Sequence, residues 1–157
     1  MLHHVSIGVK DVKRAAKFYD PVLKALGYKR VMDAMPYGVA YGEGKDRPEF
    51  WIGKPHDGGL PSAGNGAHFG FVAKTKAAVL KFHAEALKAG GSNGGEPGPR
   101  PDYGYAYFGA FIYDLDGNKI EATLHPSPAL PPKKAVKKVA KKAKKAAKKK
   151  AKRKARR

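Results

Sequence analysis

The sequence predicts an α+β fold in which two tandem βαβββ modules form a curled mixed sheet with the helices outside, followed by a basic tail. Three observations carry that prediction. The first is an internal echo at a spacing of 64: His4 falls on His68, Val5 on Phe69, Ile7 on Phe71, Lys10 on Lys74, Phe18 on Phe82, Leu23 on Leu87 and Gly27 on Gly91. A repeat of that length is a supersecondary unit used twice. The second is that each copy opens on an alternating strand and passes into a helix with apolar periodicity. The third is an Asp-Gly turn that folds the last two strands into a hairpin.

In the first copy, residues 2–9 put Val5, Ile7 and Val9 on one face of a strand and His4, Ser6 and Gly8 on the other. Asp11 caps a helix carrying Val12, Ala15, Ala16, Tyr19, Leu23 and Leu26, which Gly27 ends. Pro21 inside it predicts a kink or a break into two pieces. Short strands follow at 28–33, 37–42 and 49–53, between Gly, Pro and Asp turns. The second copy opens at 67–73, with Phe69, Phe71 and Ala73 opposite His68, Gly70 and Val72. Thr75 caps its helix, which runs through Val79, Leu80, Phe82 and Leu87 to Gly90 and Gly91. A Gly/Pro-rich loop over 91–101 leads to a strand at 105–113, the turn 114–118 and a last strand, 119–124. The glycines of 90–95 follow a helix and lack the Gly-Lys-Ser/Thr ending, so they do not read as a phosphate loop.

Charge divides the chain. Residues 133–157 hold 16 of the 32 Lys and Arg and no acid, so residues 1–132 balance 16 bases against all 13 acids, a net of only +3. The expected organisation is one domain over 1–126, with modules at about 2–54 and 67–125, a Pro-rich linker over 127–132 and a tail over 133–157. Without cysteine there is no disulfide framework, thiolate metal site or cysteine nucleophile. The N-terminus lacks the pattern of a signal peptide, and no stretch approaches about 18 consecutive apolar residues, so a cytoplasmic location without membrane contact is expected.

The last strand completes a site. Ile120, Ala122 and Leu124 share its apolar face, while Lys119, Glu121 and Thr123 take the other. His4, His68 and Glu121 thus each stand on the non-aliphatic face of a strand, and a curled sheet would bring them together. Two imidazoles and one carboxylate with open positions suit Fe(II) and related divalent metals.

With these pieces in place, the chain closely resembles the vicinal oxygen chelate superfamily, the glyoxalase/bleomycin-resistance/dioxygenase group, over roughly residues 2–125. The signature pieces are residues 4–9 with Asp11 and Phe18-Tyr19, then His68-Phe69-Gly70-Phe71, then Asp116-Gly117-Asn118-Lys119-Ile120-Glu121. The resemblance implies that His4, His68 and Glu121 ligate one divalent ion, Fe, Mn, Ni or Zn. Members often take a further Glu or Gln from the last strand of the first module. Here the best register puts Trp51 at that place, with Glu49 two residues away, which argues against a four-ligand glyoxalase I site.

Tyr103, Tyr105 and Tyr107 lie two apart, so strand alternation would line them along one face near Arg100. They read either as a pocket wall whose phenols bond an oxygen-rich substrate or as aromatic cover on a half-exposed strand. Trp51 and Tyr37 are further wall candidates. For the general base, Glu121, Tyr105 and Tyr107 are the candidates. His3, His56, His83 and His125 have no support for a role.

The tail contains only Lys, Arg, Ala and Val. Its composition resembles the arms of histone H1-like proteins, and charge repulsion should keep it disordered until phosphates neutralise it. The nucleic-acid contacts would come from Lys133, Lys134, Lys137, Lys138, Lys141, Lys142, Lys144, Lys145, Lys148, Lys149, Lys150, Lys152, Arg153, Lys154, Arg156 and Arg157. If about 10 of these met DNA phosphates, log K would fall with log salt at a slope near −9.

Three functions are therefore open. The first is a metal-dependent enzyme of glyoxalase or dioxygenase type, lyase or oxygenase, taking a substrate through two adjacent oxygens and forming a homodimer. The second is a resistance-type protein that sequesters a small molecule without chemistry. The third is a nucleoid-associated protein in which the tail is the function, binding DNA or another polyanion.

Overall fold

A computed structural model describes residues 2–103 and 106–124. The tail, the Pro-rich linker, Tyr105 and His125 lie outside the described residues, and with them the expectations placed there.

The predicted order appears twice. Strand β1 (Val5–Gly8), helix α1 (Val12–Lys24) and strands β2 (Lys29–Ala34), β3 (Gly38–Gly42) and β4 (Phe50–Gly53) form the first module. Strand β5 (His68–Val72), helix α2 (Lys76–Lys88) and strands β6 (Ser92–Pro99), β7 (Phe108–Tyr113) and β8 (Lys119–Leu124) form the second. Each module makes a four-stranded mixed sheet, in the orders β1-β4-β3-β2 and β5-β8-β7-β6. The first strand of each pairs in parallel with the last, and the remaining pairs are antiparallel.

Both helices start as their sequences dictate. Asp11 accepts from the Arg14 backbone N–H at 2.8 Å and Thr75 from that of Ala78 at 3.1 Å, each satisfying a donor with no partner inside the helix. Pro21 does not break α1, which is continuous from Val12 to Lys24. The proline stands in its closing turns, where Tyr19, Val22 and Leu23 are fully buried, and Ala25 N–H still reaches the Pro21 carbonyl at 3.2 Å. Burial of side chains this size, at about 1.5–3 kcal/mol each, outweighs one missing backbone bond.

The two helices pack on each other, and one buried cluster spans both modules, from Val9, Phe18, Tyr41, Phe50 and Ile52 to Val79, Phe82, Ile112 and Ile120. A polar clamp also ties the halves. Tyr19 of α1 donates to Asp114 at 2.7 Å, and Asn118 reaches the Gly8 carbonyl at 3.3 Å. The same Asp114 carboxylate accepts from the backbone N–H groups of Asp116 and Asn118, so the turn between β7 and β8 is locked from inside. Burial, then the Asp114 charge and hydrogen bond, push the Tyr19 phenol well above its ordinary value.

Two expectations about the second module are corrected. Most of the expected loop over 91–101 is strand β6, which pairs with β7 through two register shifts, between Asn93 and Gly95 and between Gly95 and Gly98. Glycine and proline lower strand propensity, but the β7 edge supplies partners and the bulges absorb the irregular residues. Strand β7 starts only at Phe108, because Pro101–Tyr103 forms a 3₁₀ turn and Ala106 takes a positive φ of 63°. No helix among the described residues is long and apolar enough to cross a membrane.

Candidate functional site

Strand β8 alternates as predicted. Ile120 and Ala122 are buried under the helices, and Glu121 faces the open side of the second sheet, only 3% exposed. A carboxylate so withdrawn from water needs partners. Tyr107 O–H donates to Glu121 Oε1 at 2.5 Å, and His68 Nε2 stands 3.5 Å from Oε2. The ladder explains the meeting: Gly70 of β5 lies opposite Glu121, and His68, two residues earlier, lies opposite Lys119 on the same face. Burial first, then the bond to Glu121, raise the Tyr107 phenol above its ordinary value, so it keeps its proton and donates it.

Two glycines make room for the carboxylate. A Cβ on Gly70 would come within 3.3 Å of Oε2, and one on Gly109 within 3.0 Å of Oε1. The result is a small cradle bounded by His68 on one side and Tyr107 on the other.

This pair fits one edge of a metal's coordination sphere. Two donors each about 2.1 Å from an ion, subtending roughly 90–110°, stand about 3.0–3.5 Å apart. The bond from Tyr107 leaves Oε2 as the oxygen turned to the imidazole, the kind of outer support that orients metal-ligating carboxylates. The set has two members, however. Among the described residues no group of three or more His, Cys, Asp or Glu gathers as a metal site.

His4, the third residue of the expected trio, is not brought to the other two. It lies just before β1 of the first sheet, exposed, with its ring edge-on to His3 at 5.1 Å and Nδ1 2.9 Å from the Nδ1 of His3. Of the other first-module candidates, Trp51 and Tyr37 do not line the hollow that holds the pair, whereas Glu49 lines a second cavity together with His68. Trp51 pairs with Ser6 across β4 and β1, and Tyr37, 76% exposed, occupies the turn between β2 and β3. Glu49 holds Arg47 at 2.6 Å.

The second-module candidates do converge. A hollow of about 560 Å³ is lined by His68, Arg100, Tyr103, Tyr107, Lys119 and Glu121, with Phe111 as part of its wall. Tyr103 meets Tyr107 edge-on at 5.4 Å, not by alternation along one strand but because the 3₁₀ turn folds it back. Arg100 lies over the Phe111 ring at 5.8 Å and Lys119 at 4.9 Å.

Sequence reasoning gave no role to Lys119, Phe111 or His83. For Lys119 the signal was present, since it stands two residues before Glu121 on the same strand face. His83 of α2 is buried and bonds Asn93 at 3.0 Å. Asn93 in turn accepts from Gly95 N–H at 2.9 Å and donates to Glu96 at 2.7 Å. It thereby braces the bulged part of β6, whose Glu96 carbonyl accepts from Arg100 just beyond the strand.

The comparisons with known proteins agree with this architecture. Residues 1–122 match the family model described as Glyoxalase/Bleomycin resistance protein/Dioxygenase superfamily. A solved glyoxalase/bleomycin resistance protein from Albidiferax ferrireducens is 33% identical, over 80% of this chain and 99% of its own, with a TM-score of 0.70. A glyoxalase-related enzyme from Fulvimarina pelagi (17% identity, 80% of this chain and 88% of that one, TM-score 0.62) has the same fold. So does a glyoxalase I mutant from Zea mays (24% identity, 78% of this chain and 45% of that one, TM-score 0.60). No curated protein matches the chain. The chain belongs to the glyoxalase/bleomycin resistance protein/dioxygenase superfamily.

Proposed function

We propose that the chain is a small metal-dependent enzyme of glyoxalase or dioxygenase type, taking an oxygen-rich substrate through two adjacent oxygens in the hollow of the second sheet. The observation that carries this reading is the His68–Glu121 pair, 3.5 Å apart, with the carboxylate buried and its other oxygen held by Tyr107. His68 and Glu121 would hold one divalent ion, Fe, Mn, Ni or Zn, and His4 of a second copy of the chain would complete the set. A second copy is the proposed source because His4 is exposed and apart from the pair in its own chain. When bound, the ion supplies Lewis acidity to the paired substrate oxygens.

The chain's own residues do the rest. Tyr107 retains its proton, orients Glu121 and keeps Oε2 turned towards His68. Tyr103 and Phe111 wall the hollow and limit water at the carboxylate. A phenol held protonated by burial and its bond to Glu121 makes Tyr107 a poor general base.

The test is metal content and activity in mixed preparations. The His4→Ala and His68→Ala variants should each lose the ion. A refolded mixture of the two should regain it at some sites, because one copy supplies His68 and Glu121 and the other His4. No recovery on mixing would sink the shared site.

The second reading is a protein that binds a small molecule without chemistry. It is favoured by the gathering of two donors, with no third among the described residues, beside an aromatic wall. Chelator-treated protein that keeps full affinity for an aromatic ligand would support it over the enzyme.

The tail has its own proposed role, contact with DNA or another polyanion, supported by 16 bases and no acid over 133–157. A DNA mobility shift that weakens steeply with salt and vanishes on deletion of 133–157 is the expected result.

A further inference from the structure

Three groups stand around one aromatic ring in the second sheet. The Phe111 centroid is 5.8 Å from the Arg100 guanidinium carbon, 4.9 Å from Lys119 Nζ and 6.0 Å from the His68 ring centroid. Phe111 also lies opposite Glu121 in the ladder between β7 and β8. Both cations therefore border the same hollow as the His68–Glu121 pair.

Neither cation is neutralised by an acid among the described residues, where the ion pairs are those of Arg30, Arg47 and His68. The hollow holds one carboxylate, Glu121, and that one is already engaged by Tyr107 and His68. Two cations against one acid leave it net positive, and a divalent ion would make it more so.

Arg100 is also fixed in place. Its Nη2 donates to the Glu96 carbonyl at 2.7 Å and its Nη1 to the Pro99 carbonyl at 3.3 Å. A Cβ on Gly98 would approach Nη1 to 3.2 Å, so the guanidinium lies close against the bulged strand where a side chain would crowd it. With two of five N–H donors used in these bonds, donors remain for a ligand. A guanidinium held by backbone carbonyls and an ammonium, each against the Phe111 ring and each lining the same hollow, together suit an oxyanion.

We propose that the hollow selects a small organic oxyanion, a carboxylate or a phosphonate, whose charged group is held by Arg100 and Lys119 while its paired oxygens lie at His68 and Glu121. This rests on the second-sheet hollow being the functional site. Arg100 and Lys119 are then specificity residues, reading the charge of the ligand at a place separate from its reacting end.

The test uses three probes that share a catechol and differ in one substituent: 3,4-dihydroxybenzoate, 3,4-dihydroxyphenylphosphonate and the neutral 3,4-dihydroxybenzamide. Affinity for the full-length protein is measured by calorimetry at about 0.2 M salt, which screens diffuse attraction to the tail. At least one anion should bind about tenfold or more tightly than the amide, and the two anions together show which oxyanion is preferred. In the Arg100→Gln, Lys119→Gln double variant that preference should disappear. The Lys119→Gln single variant, at a partly exposed site, should lose part of it and guards against misfolding of the double variant.

Equal affinity for all three probes, no binding of any, or a preference that survives the double substitution overturns the proposal. A surviving preference would assign the anion effect to the tail, whose 16 cations are unchanged. His68→Ala separates the two levels. Loss of all three probes supports the site, whatever the anion preference. Unchanged binding of all three in His68→Ala overturns the site and the selectivity resting on it.

Discussion

Ser6 stands opposite Trp51 in the first sheet, and 64 residues later Gly70 stands opposite Glu121 in the second. The backbone has repeated itself, but the chemistry has not. In the first module the equivalent of the buried carboxylate is an indole, and its neighbour across the ladder carries a hydroxymethyl group. In the second module a glycine clears space for Glu121, Gly109 clears it from the other strand, and Tyr107 and His68 take its two oxygens. Duplication supplies a scaffold with two equivalent open faces, and the side chains of only one are arranged to hold a charge out of water. The exposed first-module histidine, His4, is then available to a second copy rather than to a site of its own.

The largest expected effect comes from removing the pair. Glu121→Gln or His68→Ala should lower affinity for a divalent ion by about 100-fold or more, beyond the loss expected for an outer-shell partner. Trp51→Phe, at the equivalent place in the other sheet, should leave affinity unchanged. Calorimetric titration of Mn(II) into the three proteins checks this. Equal losses in all would remove the distinction between the two faces.

Next is Tyr107→Phe, which leaves Oε1 of Glu121 without its donor. We expect a loss of about 10–100-fold in metal affinity and about 1–3 kcal/mol in stability, measured by calorimetry and urea unfolding. A smaller effect follows from Gly70→Ser, which imports the residue of the first module. The added side chain meets Oε2 and should cost about tenfold in affinity with little change in unfolding. The reciprocal Ser6→Gly should change affinity not at all.

The smallest effect concerns the clamp between the modules rather than either face. Tyr19 is held protonated by burial and Asp114, so its folded value lies above the ordinary 10.0. A raised value means that its contribution is complete below pH 10.0 and is lost as the pH rises above it. Unfolding free energy should therefore fall more steeply above pH 10.0 in the wild type than in Tyr19→Phe, as a pH series of urea titrations would show.

The repeat made much of this legible in the sequence. Alternation located β1, β5 and β8 and put His68 and Glu121 on one face, and Asp11 and Thr75 marked both helix starts. The register of Trp51 could be inferred because strand pairing follows the echo. The Asp-Gly turn between β7 and β8 was legible too, but the path of the chain between α2 and β7 was not. Ser92–Pro99 looks like a loop because propensity ignores the free edge of β7 beside it. Tyr103 reaches Tyr107 through a 3₁₀ turn that strand alternation does not describe. The separation of His4 from the pair was invisible for a different reason. Equivalent positions in a repeat say which face a residue takes, not whether two sheets of one chain turn those faces to a common point.

Elemental analysis of the as-isolated full-length protein beside its Glu121→Gln variant asks whether the hollow of the second sheet holds a metal. About one divalent ion per chain is expected in the first and none in the second. The same ion content in both, or none in either, would contradict a metal site there.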